Sequence, residues 1–108
     1  MKIKNMEHEK VLALAGQIDV LPGQVISRTL AQNNAVSVTL FAFAKGEEIG
    51  AHESAGDAMA TVIEGRGTFV IDGKTYSAGA GEAIVMPAGK PHGILAGEAF
   101  KMLLVVVF

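Results

Sequence analysis

Residues 81 to 96 read GEAIVMPAGKPHGILA. Ala83 to Met86 is a short apolar run of the kind a buried strand shows, and Pro87 stops it, because proline has no N–H to give to a ladder. Gly89 and Pro91 prolong the break, and a second short run, His92 to Leu95, follows at once. Two runs of four residues separated by proline and glycine are too short for helices and read as strands of an all-β chain.

The same pattern extends in both directions. Upstream, residues 46 to 65 read GEEIGAHESAGDAMATVIEG. Met59 to Glu64 and Gly67 to Asp72 are strand candidates joined by Gly65-Arg66, which reads as a hairpin. Asp72-Gly73 is a sharper hairpin signal and returns the chain into Lys74 to Ser77. Val25 to Leu30 is a further candidate. Ala35 to Ala44 (AVSVTLFAFA) is the clearest, with Val36, Val38, Leu40 and Ala42 on one face and Ser37, Thr39, Phe41 and Phe43 on the other. Neither face is strongly polar, so both are expected to be covered. Phe100 to Phe108 (FKMLLVVVF) closes the chain and carries a charge only at Lys101. Eleven of the thirteen glycines lie between Gly46 and Gly97, punctuating these runs. Residues 1 to 10 are polar and solvated, His8 among them. Val11 to Ile18 fits a short helix or an edge strand, ended by Leu21-Pro22-Gly23. The expected architecture is a β-sandwich or barrel of eight to ten short strands.

Composition narrows the function classes. The chain has 108 residues, enough for one domain with a single core. It has no cysteine, which removes disulfides, thiolate metal sites and cysteine nucleophiles and suits a reducing cytoplasmic setting. Its longest unbroken apolar run, Met102 to Phe108, is far short of the about 20 residues a bilayer-spanning helix needs, so no membrane association is expected. The N-terminus is charged where a secretory segment would be apolar. Nine Lys and Arg against eleven Asp and Glu leave no basic excess for nucleic acid. Gly73-Lys74-Thr75 imitates the end of a phosphate-binding loop, but Thr68 stands where its first glycine belongs. Gly65-Arg66-Gly67 lacks the third glycine of a dinucleotide fingerprint, and Ser54 lacks the strand-to-helix turn of a nucleophile elbow.

The two quoted stretches resemble the signature motifs of the cupin superfamily. The first motif runs Gly, five residues, His, one residue, His, three or four residues, Glu, six residues, Gly; here Gly46, His52 and Gly65 fall in register. The second runs Gly, five residues, Pro, one residue, Gly, two residues, His, three residues, Asn; here Gly81, Pro87, Gly89 and His92 match. The resemblance covers residues 35 to 108. It implies a single-domain cupin barrel, jelly-roll-like, over residues 25–108, with residues 1–24 packing on the barrel or swapping across it.

In metal-binding cupins both histidines and the glutamate of the first motif join the histidine of the second around the ion. In this sequence Ser54 replaces the second histidine, Ala58 the glutamate and Ala96 the closing asparagine. His52 and His92 remain, with Asp57 as a weak third candidate that strand alternation turns away from the side chain at 58. Two imidazoles can hold zinc, iron, nickel, manganese or copper, but tight sites present three or four protein ligands. A divalent transition metal is thus one expectation, and a metal-free histidine pair bonded to Ser54 or water is the other.

The same substitutions place small side chains at interior positions. Ser54, Ala58, Ala60 and Ala96, with Val62 and Ile94, outline room for a small, mostly apolar ligand with a polar handle. Alternatively Phe41, Phe43 and the gap-filling Met59, Met86 and Met102 take up that room. The expected function is small-molecule binding in the barrel. The rival is a divalent-metal-dependent isomerase or dioxygenase with His52 and His92 as ligands. Finally, Leu103, Val105 and Val107 share the outer face with Met59, Thr61 and Ile63, more apolar surface than Val11 to Ile18 can cover. A homodimer is therefore expected.

Overall fold

A computed structural model describes residues 2–108. Among the described residues nine strands form two antiparallel sheets. β1 (Val25–Gln32), β2 (Val36–Phe43), β4 (Asp57–Glu64), β7 (Ala83–Met86) and β9 (Phe100–Val107) build the larger one, in the order β1-β2-β9-β4-β7. β3 (Glu48–His52), β5 (Arg66–Ile71), β6 (Lys74–Gly79) and β8 (His92–Leu95) build the smaller one, in the order β3-β8-β5-β6.

Alternation in β2 and β9 divides the apolar residues between two cores. Phe43, Phe100, Met102, Ala58, Ala60 and Val62 face the smaller sheet and meet Phe69, Ile71 and Ile94 from it. Phe100 is the keystone: its ring stacks on Phe43 at 4.7 Å and meets Phe69 edge-on at 6.3 Å. On the opposite face of the larger sheet, Leu30, Leu40 and Ala42 pack with Ile18, Met6 and Leu14 of the N-terminal arm. Both faces of β2 are thus covered.

The ambiguous Val11 to Ile18 stretch is neither α-helix nor strand but a single 3-10 turn, Leu14–Gln17. Side chains of the sheet hold it. Lys101, 8% exposed, donates to the Ala15 carbonyl at 2.6 Å and lies 3.4 Å from the Glu64 carboxylate. Arg28 donates to the Gln17 carbonyl at 2.7 Å.

Asp72-Gly73 is the two-residue hairpin its sequence promised, both residues having positive φ (50° and 82°). Gly65-Arg66 is not a hairpin. β4 and β5 lie in different sheets, and Gly65, at φ 74°, turns the chain through a corner against Ala99 and Phe100. A two-residue glycine link reads alike in either role, and only the pairing partners of β4 and β5 distinguish them. β3, which begins with a charged residue and has a mixed pattern, carries no clear strand signal of its own.

Four sheet-to-sheet corners gather at one end of the sandwich. Gly46 and Ala96, and Gly65 and Ala80, bond across them through their backbones. At the other end the loops 53–56 and 87–91 are joined by a bond from Gly89 N–H to the Ser54 carbonyl. The aromatic cluster seals the first end. The histidines lie at the second.

Candidate functional site

His92 stands on β8 between Ile71 of β5 and His52 of β3, and all three share the inner face of the smaller sheet. Its position follows from alternation with the buried Ile94. His52 needs a further device. Ile49 pairs with Ile94 and His52 with His92, so β3 spans that interval with one residue more than β8. This bulge at Gly50-Ala51 reverses the parity of β3 and brings His52 back to the inner face. Gly93 makes the room opposite: a Cβ there would lie 3.1 Å from the Ile49 carbonyl oxygen and 3.4 Å from Ala51 N.

The two rings meet edge to face with centroids 4.4 Å apart. His52 Nδ1 lies 3.0 Å from the Gly50 carbonyl oxygen and His92 Nδ1 lies 3.2 Å from that of Lys90. Carbonyls only accept, so each Nδ1 carries the proton and donates, which leaves Nε2 of a neutral ring with its lone pair free. His92 is 3% exposed and His52 lies open at the rim. No buried side-chain nitrogen or oxygen among the described residues lacks a partner. Nε2 of His92 therefore opens onto accessible space.

The other residues singled out from the sequence do not join the pair. Asp57 starts β4 facing away, and its carboxylate accepts the Ala88 N–H at 2.8 Å, tying β4 to the 87–91 loop. The Ser54 hydroxyl accepts the Gly56 N–H at 3.3 Å and shapes the 53–56 turn. Ala58, Ala60, Val62, Ile94 and Ala96 are core residues, each at most 3% exposed. Phe43, Phe69, Phe100, Met86 and Met102 are the large side chains packed with them, whereas Met59 points outward, 42% exposed. The small residues are matched by bulky neighbours, and the accessible surface lies nearer the rim.

There the larger sheet contributes Phe41, Leu104 and Val106, half-buried against the core, with Ser37 and Thr39 alternating on the same inner face. These rim residues had no motif to mark them. Their signal was the polar half of the β2 alternation, on the same face as two phenylalanines.

The donor set can be compared with a metal centre directly. Among the described residues no group of three or more His, Cys, Asp or Glu is placed to hold an ion. Two imidazoles with hydrogen-bonded Nδ1 atoms are oriented as metal ligands are. They nevertheless fall short of the three or four protein ligands of a tight site, so the residues present do not fit a complete centre.

A two-sheet jelly roll with a histidine from each of two adjacent strands at one end defines the class of small single-domain β-barrels. The cupin domain model matches residues 39–108, and the chain belongs to the cupin family. A conserved Streptococcus pyogenes protein of unknown function is 48% identical over 99% of this chain and 94% of its own, with a TM-score of 0.96. A cupin superfamily protein from Desulfitobacterium hafniense is 31% identical over 100% of this chain and 99% of its own, with a TM-score of 0.94. A cupin conserved barrel domain protein from Leptotrichia buccalis is 36% identical with a TM-score of 0.86; 88% of this chain matches 46% of that one. No curated protein matches the sequence. Among the described residues no helix is long and apolar enough to cross a membrane.

Proposed function

We propose that this cupin binds a small molecule at the open end of its barrel, with Nε2 of His52 and His92 as the polar anchors. The observation that carries this reading is the paired orientation of the rings. Two backbone carbonyls accept from both Nδ1 atoms, which leaves Nε2 of each neutral ring as an acceptor on two rings whose centroids are 4.4 Å apart. The cysteine-free composition suits a cytosolic setting for such a protein. Imidazole-detected NMR of the protein, titrated with a panel of small metabolites, tests the reading. Binding that shifts the His52 and His92 ring signals and is lost in His92→Ala supports it, and binding that leaves both rings unmoved overturns it. Elemental analysis of the purified protein separates the metal-dependent alternative. Stoichiometric metal, lost in both His52→Ala and His92→Ala, would replace the metal-free reading by an ion completed with water.

Assembly is a further part of the proposal. The arm and the cluster it forms cover Val38, Leu40, Ala42 and Leu103 but leave a row across the outer face of the larger sheet: Val105, Met59 and Val85, in register. Met59 is 42% and Val85 53% exposed. A second copy packed about a two-fold axis covers this row on both protomers at once.

A further inference from the structure

The side chains that share the inter-sheet space with the histidine pair restrict the chemistry of what can enter it. Thr39 of β2 is the direct register partner of Thr29 on β1 and of Leu104 on β9. Ser37, two residues along, pairs with Val106. Alternation with the inward-facing Phe41 and Phe43 puts Ser37 and Thr39 on the inner face, and cross-strand pairing puts Thr29 beside them. All three are half-buried. The rim of the larger sheet is thus a run of hydroxyls between one aromatic and two aliphatic side chains, and the smaller sheet faces it with two imidazole acceptors.

No residue in that set carries a formal charge. Arg28 alternates to the outer face, where Gln17 accepts from it, and Glu48 alternates away from the inward-facing Ile49. Glu53 and Lys90 are exposed on the rim loops. An ionic ligand entering the cleft would lose hydration without gaining a counter-charge, which is strongly unfavourable. A purely apolar ligand would bury the three hydroxyls and both Nε2 atoms without partners, and sites of this kind reject such analogues. A neutral ligand with several hydroxyls satisfies both conditions. Its O–H groups donate to Nε2 and exchange bonds with Thr29, Ser37 and Thr39, while its C–H faces rest on Phe41 and Leu104. We infer that the ligand of this cleft is an uncharged polyhydroxylated molecule, recognised by the Thr29–Thr39 hydroxyl pair opposite the histidines. This rests on the binding site proposed above and names its ligand class.

The experiment titrates the full-length protein with three five-carbon probes of one size: xylitol, its carboxylate analogue xylonate, and pentan-1-ol. Ring NMR signals of His52 and His92 report occupancy. Xylitol is expected to bind more tightly than either of the others. Thr39→Val, which keeps the shape but deletes the hydroxyl, is expected to weaken xylitol about fivefold, the value of one hydrogen bond, and Thr39→Ser to restore it. Preferential binding of xylonate or pentan-1-ol at the histidines overturns the ligand class while leaving the site in place. Equal xylitol affinity in wild type and Thr39→Val removes the hydroxyl pair from recognition. If none of the three probes moves the ring signals, the ligand class is refuted; the metabolite panel, read on the same signals, then separately decides the site.

Discussion

Gly67→Ala places a methyl group where the sandwich has no space for it. A Cβ on Gly67 would lie 2.6 Å and 2.7 Å from two carbons of the Phe100 ring. That ring cannot step aside, being 0% exposed, stacked on Phe43 at 4.7 Å and held edge-on by Phe69. Overpacking a filled core costs roughly 1–3 kcal/mol. Against it stands the smaller entropy of the unfolded alanine chain, a gain of about 0.4–1 kcal/mol where the backbone is compatible. The net expectation is a loss of about 1–2 kcal/mol, which for a domain of this size lowers Tm by roughly 5–15 °C. Thermal unfolding followed by circular dichroism measures it. The partner variant Phe100→Leu vacates the ring carbons at a cost of its own, and the double variant should then be less destabilised than the sum of the two. An unchanged or raised Tm in Gly67→Ala, or strict additivity in the double variant, would refute the steric account of this glycine.

Three other outcomes follow from the same geometry. Gly93→Val crowds the Ile49 carbonyl and Ala51 across the bulge, so β3 should shift and the His52 ring signals change more than those of His92, with stability falling by about 1–3 kcal/mol; identical His52 signals would show that the bulge does not set that ring. Lys101→Met deletes the bond to Ala15 and the contact with Glu64, at a cost of about 1.5–3 kcal/mol for a charged donor, partly offset by apolar burial. Hydrogen exchange should then rise across residues 2–20 while β5 and β8 stay protected, and unaltered exchange in the arm would refute the clamp. Sedimentation at micromolar concentration should report about twice 11.2 kDa for the wild type and a monomer for Val105→Lys; a monomeric wild type would refute the assembly.

Much of the fold was legible because it rests on local rules. The period of two in Ala35 to Ala44 and Phe100 to Phe108 assigns every side chain to a face without reference to any partner. Asp72-Gly73 names its own turn, since both residues must take positive φ and these two tolerate it. The motif spacing singled out His52 and His92, whose rings the fold brings edge to face.

What remained depends on contacts between residues distant in sequence. Whether Gly65-Arg66 closes a hairpin or turns a corner is decided by β9 and β7 taking the place beside β4 that β5 would have held. Ala58 and Ala60 look like room for a ligand until Phe43 and Phe100 are stacked across from them, because volume is a property of facing sheets and not of one strand. Asp57, a carboxylate next to the expected ligand position, bonds to Ala88, 31 residues away. Simple alternation from Ile49 would turn His52 to the outside. The extra residue at Gly50-Ala51 brings it in, and that bulge exists only because β3 pairs with β8, where Gly93 leaves the backbone space to bend.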